Sequence, residues 1–307
     1  MIEKNSYINS QAFASDSRPI GVFDSGIGGL TVLKEIWKEL PQESTVYFGD
    51  NGRTPYGTKS HDTIVTYSVQ NMRFLLSHNV KMIVIACNTA SAHAFAEIQA
   101  LSPVPVVEVI TPGADQAARR TKSGRIGIIA TRATVESGIY RTAVETAAKE
   151  LLEKEINRKA LENLFIDQAS CPLFVSLAEE GFWNHEVVRL VAEEYLHVLR
   201  EEKVDTLILG CTHYPLLSNM IAKVMGEDTI LINAGSSVAA KVRQVLMNNH
   251  LLNTSGSPAT LAFYTSDDPA IFENIATPFL GGGRPSGTKR VMTEDYDCAH
   301  GRRGTEL

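Results

Sequence analysis

The pattern of apolar and polar positions breaks abruptly at two places. Met82-Ile83-Val84-Ile85-Ala86 is an unbroken apolar run that ends in Cys87-Asn88-Thr89-Ala90. Thr206-Leu207-Ile208-Leu209-Gly210 repeats the arrangement and ends in Cys211-Thr212-His213-Tyr214-Pro215. A short β-branched run without alternation predicts a strand covered on both faces, as in a parallel sheet. The polar residues then fall at its carboxyl end, where open α/β sheets bind ligands. Two cysteines at the tips of buried strands are thereby expected to face each other across one cleft.

The rest of the chain follows the same alternation. Pro19 to Phe23 predicts a first strand, and Asp24-Ser25-Gly26-Ile27-Gly28-Gly29 a glycine-rich turn. Leu30, Leu33, Ile36, Trp37 and Leu40 then recur at helical spacing, and Pro41 ends the helix. Further strands are expected at 45–48, 104–110, 125–130, 165–168, 229–233 and 261–265. Helices are expected at 61–78, 90–101, 185–203, from 236 or 237 to 246, and at 269–280. Gly49 to Gly57 is a loop dense in turn residues. Thr111-Pro112-Gly113 is expected to close a strand, with a new unit starting near Ala114. The fold class is α/β, doubly wound. Residues 1–18 read as a loose extension, and 281–307, glycine-rich and then highly charged, as a disordered tail.

Composition narrows the function. A chain of 307 residues has room for two domains. A net charge of -6 leaves no basic footprint for nucleic acid and argues against an anionic membrane surface. The four cysteines, Cys87, Cys171, Cys211 and Cys298, lie far apart without a CxxC pair, so free thiols in a reducing compartment are expected. Met1 to Arg18 has no apolar signal-peptide core, and no stretch is clean and long enough to span a bilayer. A cytoplasmic protein with neither nucleic acid nor membrane as partner is expected.

A buried cysteine is ordinarily a small hydrophobe. Two matching strand-tip cysteines argue for chemistry. Each precedes a loop or helix start, where free backbone N–H groups favour a thiolate and lower its pKa. Cys171 and Cys298 lack the matching strand and read as structural or incidental. Paired thiols on opposite faces of one small substrate suit proton transfer at a carbon centre, one removing a proton and the other delivering one. Asp24 and His213 are the natural helpers for thiol protons, although Asp24 also reads as a helix N-cap. The glycine turn lacks the G-x-G-x-x-G spacing and has no Walker lysine, which argues against a nucleotide. A tight turn exposing N–H groups to a substrate carboxylate suits it better, with Ser25 adding a hydroxyl. Pro55-Tyr56-Gly57 offers a rigid wall and a donor. Thr131 and Thr134 read as caps or carboxylate ligands. No His/Cys/Asp cluster has metal-ligand spacing, and neither cysteine stretch carries a Schiff-base lysine, so neither metal nor cofactor is expected.

Asp24-Ser25-Gly-Ile-Gly-Gly, Gly49-Asp50 through Pro55-Tyr56-Gly57, Cys87-Asn88-Thr89-Ala90 and Cys211-Thr212-His213-Tyr214-Pro215 together resemble the bacterial glutamate racemases, in order and spacing, from about Pro19 to Leu280. The resemblance implies cofactor-independent, two-base interconversion of L-glutamate and D-glutamate, feeding peptidoglycan synthesis. It makes Cys87 and Cys211 the acid/base pair, supported by Asp24, His213 and Glu180. It assigns substrate contacts to Asp24, Ser25, Tyr56, Gly57, Asn88, Thr89, Thr131, Thr212 and His213, and it implies no metal. It implies two α/β domains related by pseudo-symmetry with the site in the cleft between them: 19–113 plus 229–280, and 114–228. It admits a homodimer, and a cell-wall-precursor activator of the kind that serves some members with N-terminal extensions. The stretch Leu231-Ile232-Asn233-Ala234-Gly235 departs from the family in lacking an acidic residue near Asn233. Aspartate racemase, of the same architecture, is the nearest rival, but it carries an acidic residue where His213 stands. A non-catalytic amino-acid-binding relative and a thiol redox protein are the others.

Overall fold

Two parallel sheets with the same strand order carry the described part of the chain. The computed structural model describes residues 15–297. Its strands are β1 (Ile20–Asp24), β2 (Thr45–Gly49), β3 (Met82–Ile85), β4 (Val106–Glu108), β5 (Arg125–Ala130), β6 (Phe165–Ser170), β7 (Thr206–Gly210), β8 (Ile230–Ile232), β9 (Leu261–Thr265) and β10 (Lys289–Arg290). Its helices are α1 (Leu30–Glu39), α2 (His61–Ser77), α3 (Asn88–Leu101), α4 (Ile110–Arg120), α5 (Arg132–Glu136), α6 (Ile139–Glu153), α7 (Arg158–Leu161), α8 (Leu173–Glu179), α9 (Glu186–Glu201), α10 (Ser218–Met225), α11 (Gly235–Asn248) and α12 (Pro269–Phe279). Among the described residues no helix is long and apolar enough to cross a membrane.

The first sheet runs β10-β9-β2-β1-β3-β4 and the second β6-β5-β7-β8. The order β2-β1-β3-β4 is thus repeated by β6-β5-β7-β8, every pair being parallel. In each sheet the chain leaves its first strand to one side and returns on the other. The crevice between β1 and β3, and that between β5 and β7, is therefore a topological switch point. Cys87 follows β3 and Cys211 follows β7. The apolar runs form these strands because helices cover both faces: β1, β2, β3 and β7 are buried along their whole length.

Four boundaries differ from the sequence reading. Strand β4 is short, and Thr111-Pro112-Gly113 lies inside α4. The Glu108 carboxylate accepts the N–H groups of Ile110 and of Thr111, the latter at 2.9 Å, and so opens the helix. Pro112 is tolerated in its first turn, where N–H groups need no helical partner. Strand β8 pairs with β7, so the chain leaves the second sheet after Ile232 and not before Thr229. The tail is ordered to Asp297: β10 adds to β9, Tyr296 packs edge-on against Phe74 at 5.5 Å, and Arg73 donates to the Tyr296 carbonyl at 3.2 Å. A polar composition does not prevent order when an existing sheet edge and an aromatic ring supply the partners. Cys298, residues 299–307 and residues 1–14 lie outside the described residues.

At the amino ends of the strands a buried ion pair ties four segments together. Lys81 Nζ lies 2.6 Å from Glu43 Oε2, and both side chains are almost fully buried. Lys81 also donates to the Asp16 carbonyl at 2.6 Å, and Glu43 Oε1 accepts the Asn253 N–H at 2.8 Å. Removing one partner leaves the other charge buried, whereas replacing both with apolar residues leaves none. Lys81→Met is expected to destabilise by about 3–5 kcal/mol in urea unfolding. Adding Glu43→Leu is expected to recover most of that loss. A double variant no more stable than Lys81→Met would contradict this account.

Candidate active site

The strand tips of both sheets meet at one small cavity. It is lined by Ser25, Thr54, Pro55, Tyr56, Gly57, Cys87, Asn88, Thr89, Thr131, Val175, Cys211, Thr212 and His213. Both predicted cysteines are there, one from each sheet. Its volume is about 20 Å³, room for roughly one water molecule.

Close backbone approach makes the meeting possible. A Cβ on Gly28 would lie 2.2 Å from Thr212 Oγ1 and 2.6 Å from the His213 ring. One on Gly57 would lie 2.6 Å from Thr131 Cβ. Glycine is required at both positions because the second lobe occupies the space a side chain needs. Thr31 Oγ1 donates to the Thr212 carbonyl at 3.1 Å, and Phe279 packs edge-on against His213 at 5.6 Å.

Cys87 is the N-cap of α3, its sulfur accepting the Ala90 N–H at 3.4 Å. Its thiol donates to Ser25 Oγ at 3.5 Å. The helix start was expected to lower its pKa. Burial dominates instead: with the Asp24 carboxylate adding to it, the Cys87 thiol is pushed up to about 12. Hydrogen bonds from Ser25 and Ala90 oppose the shift and lose. Asp24 stands behind the cavity wall, completely buried, and does not line the cavity itself. Burial raises its pKa against the opposing pull of His213 and the N–H groups of Gly26 and Gly29. Its Oδ2 accepts the Gly26 N–H at 2.9 Å, while Oδ1 has no hydrogen-bond partner among the described residues.

Cys211 has different neighbours. His213 Nδ1 lies 3.7 Å from its sulfur, and His213 Nε2 lies 2.9 Å from Glu179 Oε1. Burial by itself pushes the imidazole pKa down. Contacts with Cys211 and Glu179 outweigh it and carry His213 up to about 10. Both contacts favour the protonated ring, held between sulfur and carboxylate. Tyr214 anchors the turn that presents it, donating to the Cys171 carbonyl at 2.8 Å. Cys171 itself is buried behind this site and outside the cavity lining.

Glu179, not Glu180, supports the histidine. Val175 lines the cavity, and Glu179 lies four residues later on the same face of α8. Glu180 caps the helix one position on, turned away and exposed. The acidic pair was visible in the sequence; the helix register that selects between its members was not. Thr54 and Val175 also escaped the sequence reading, since neither carries a polar motif.

Three hydroxyls cluster where the two lobes touch. Thr89 Oγ1 lies 2.9 Å from Thr131 Oγ1 and 3.2 Å from Thr134 Oγ1, and Thr131 and Thr134 are 3.0 Å apart. Thr131 caps α5 and Thr89 sits in the first turn of α3. Hydroxyls and helix N–H groups converging on one small space suit a carboxylate. Opposite them lie two thiols that can hold or release a proton. The constellation fits proton transfer on a small carboxylate-bearing molecule. Among the described residues no group of three His, Cys, Asp or Glu is placed to hold a metal ion.

The profile of the Asp/Glu/hydantoin racemases matches residues 20–244. A curated relative, the glutamate racemase of Geobacter metallireducens, is 46% identical over 265 residues, covering 86% of this chain and 93% of its own length. The crystal structure of Francisella tularensis glutamate racemase with D-glutamate superposes with a TM-score of 0.82 at 39% identity, over 92% of this chain and 100% of that one. The Escherichia coli glutamate racemase, solved with L-glutamate and the activator UDP-MurNAc-Ala, gives 0.71 at 29% identity, over 89% and 98%.

Titration of the His213 ring by NMR tests the register at Glu179. A ring whose folded pKa is raised from the ordinary 6.5 to about 10 stabilises the fold fully below 6.5 and loses that contribution as pH rises through 10. Glu179→Gln is expected to move the ring's titration to lower pH, and Glu180→Gln to leave it in place. A shift in Glu180→Gln with none in Glu179→Gln would reverse the assignment.

Proposed function

This chain belongs to the Asp/Glu/hydantoin racemase family, and we infer from that footing and from its site that it interconverts L-glutamate and D-glutamate. It is an amino-acid racemase, an isomerase. Its role is to supply D-glutamate for peptidoglycan synthesis, in the cytoplasm.

The observation that carries the mechanism is the sharing of one cavity by Cys87 and Cys211, each from a different sheet. A stereocentre held between them presents one face to each sulfur. The thiolate on one side takes the α proton, breaking C–H and forming S–H. The thiol on the other side gives its proton to the opposite face of the carbon. The amino acid is inverted and one proton has changed sides. In the reverse direction the two sulfurs exchange roles.

The neighbours differ in how they serve this exchange. Cys87, pushed up to about 12, rests as a thiol and is ready to give a proton. Asp24, with a raised pKa and an unpartnered oxygen, is the group behind it that can take that proton when Cys87 must act as base. His213, kept charged by Glu179, exchanges a proton with Cys211 in the same way. Removing an α proton also builds negative charge on the substrate carboxylate. Thr89, Thr131 and the N–H groups of two helix starts are preorganised donors for it, while Asn88 binds a carboxylate of the bound amino acid throughout. Ser25, Tyr56, Gly57 and Thr212 complete the wall. The cavity, about 20 Å³, has to widen to admit glutamate, and parting of the two lobes would open it.

Two further partners belong to the proposal. The E. coli relative carries a UDP-MurNAc-Ala activator, and a precursor of that kind is a candidate activator here, read out as a rise in kcat/KM on its addition. A homodimer is the second candidate, read out by sedimentation.

Cys87→Ser and Cys211→Ser are each expected to lower racemisation of L-glutamate at least a thousandfold without added cofactor, followed by chirality, with unfolding midpoints close to that of the parent. L-aspartate, assayed beside it, is expected to turn over far more slowly. Near-normal turnover in either cysteine variant, or a preference for aspartate, would overturn the reading.

A further inference from the structure

Tyr140 lies outside the cavity, yet it holds a group that lines it. The tyrosine sits on α6 in the second lobe and is completely buried. Its ring packs against Gly210, the residue before Cys211; a Cβ there would be 3.0 Å from Tyr140 Cε2. Its hydroxyl reaches the first lobe and donates to Asn88 Oδ1 at 2.6 Å. Asn88 follows Cys87 and lines the cavity. A separation of 2.6 Å fits O–H···O and is short for N–H···O. The amide oxygen is therefore the atom that faces Tyr140, and the Nδ2 donors are left for the cavity side. Burial, together with the neighbouring Glu108 and Cys211, pushes the Tyr140 pKa up, so the phenol keeps its proton.

We propose that Tyr140 is a positioning residue for racemisation: by holding the Asn88 oxygen, it makes Asn88 present N–H, and not a carbonyl, to a carboxylate of the bound amino acid. An amide without that anchor can turn over. Turned over, it offers an oxygen to an anion, which repels it. Tyr140 thereby links the strand that carries Cys211 to the residue beside Cys87, so the donor is set only when the lobes are together. The inference rests on the reading of Asn88 as a substrate contact.

The test compares Tyr140→Phe, Asn88→Ala and the double variant, with kcat and KM for L-glutamate measured separately. Tyr140→Phe keeps the ring that packs on Gly210 and removes only the hydroxyl. It is expected to raise KM about tenfold, the size of one lost oriented hydrogen bond to a charged group, with a smaller change in kcat. Adding Asn88→Ala to it is expected to raise KM no further than Asn88→Ala alone. If Asn88→Ala leaves KM unchanged, the reading of Asn88 fails and the inference with it. If Asn88→Ala raises KM and Tyr140→Phe does not, or if the two effects multiply, Tyr140 does not act through Asn88. Asn88→Asp gives an arm that does not depend on Tyr140→Phe folding. An acid there replaces the inward donor with an oxygen, so KM is expected to rise above that of Asn88→Ala. A KM at or below the Asn88→Ala value would place the amide oxygen inward and overturn the proposal.

Discussion

No side chain fits where Gly28 meets Thr212 and His213, or where Gly57 meets Thr131. Everything at the site depends on that closeness. Each sheet ends in a crevice whose helix starts expose unpaired N–H groups. Facing crevices become one cavity only if the loops between them carry no bulk. The two glycines belong to the first lobe and the residues they touch to the second. A Cβ at either glycine would force the Thr212, His213 or Thr131 side chains, or the lobes themselves, to move. The repeated strand order supplies the symmetry, and the glycines supply the contact.

Symmetry of backbone does not extend to charge. Burial and the nearby Asp24 carboxylate favour the neutral thiol at Cys87, against the opposing hydrogen bonds of Ser25 and Ala90. Cys211 faces the His213 imidazole, which is held by Glu179 and whose pKa is raised by both neighbours. A reversible inversion needs one proton to be available on either side, and the two environments keep it available by different means. On one side a high-pKa thiol is backed by an acceptor. On the other an imidazole held by Glu179 lies 3.7 Å from the sulfur. Burial strengthens both arrangements, since charges interact more strongly where little water can enter.

The strand tips were legible in the sequence because buried parallel strands read as continuous apolar runs, and the polar residues that end them stand out. Ser25, Tyr56, Gly57, Asn88, Thr89, Thr131, Thr212 and His213, which the family resemblance picks out, line one cavity. What escaped depends on packing between distant segments. The choice of Glu179 over Glu180 is a rotation of one residue on a short helix. The place of β8 depends on which sheet edge is free to pair. Order at Tyr296 depends on a ring at Phe74 more than 200 positions away. The thiol of Cys87 was misjudged because two opposing effects act on it. The helix start is visible in the sequence; the depth of burial that outweighs it is not.

Racemisation of L-glutamate in heavy water tests the central claim most directly. Two sulfurs on opposite faces predict that the first D-glutamate formed carries deuterium at the α carbon while the remaining L-glutamate stays protiated. Rapid appearance of deuterium in the L-glutamate pool, or D-glutamate that retains the original proton, would mean that one base serves both faces, and would contradict it.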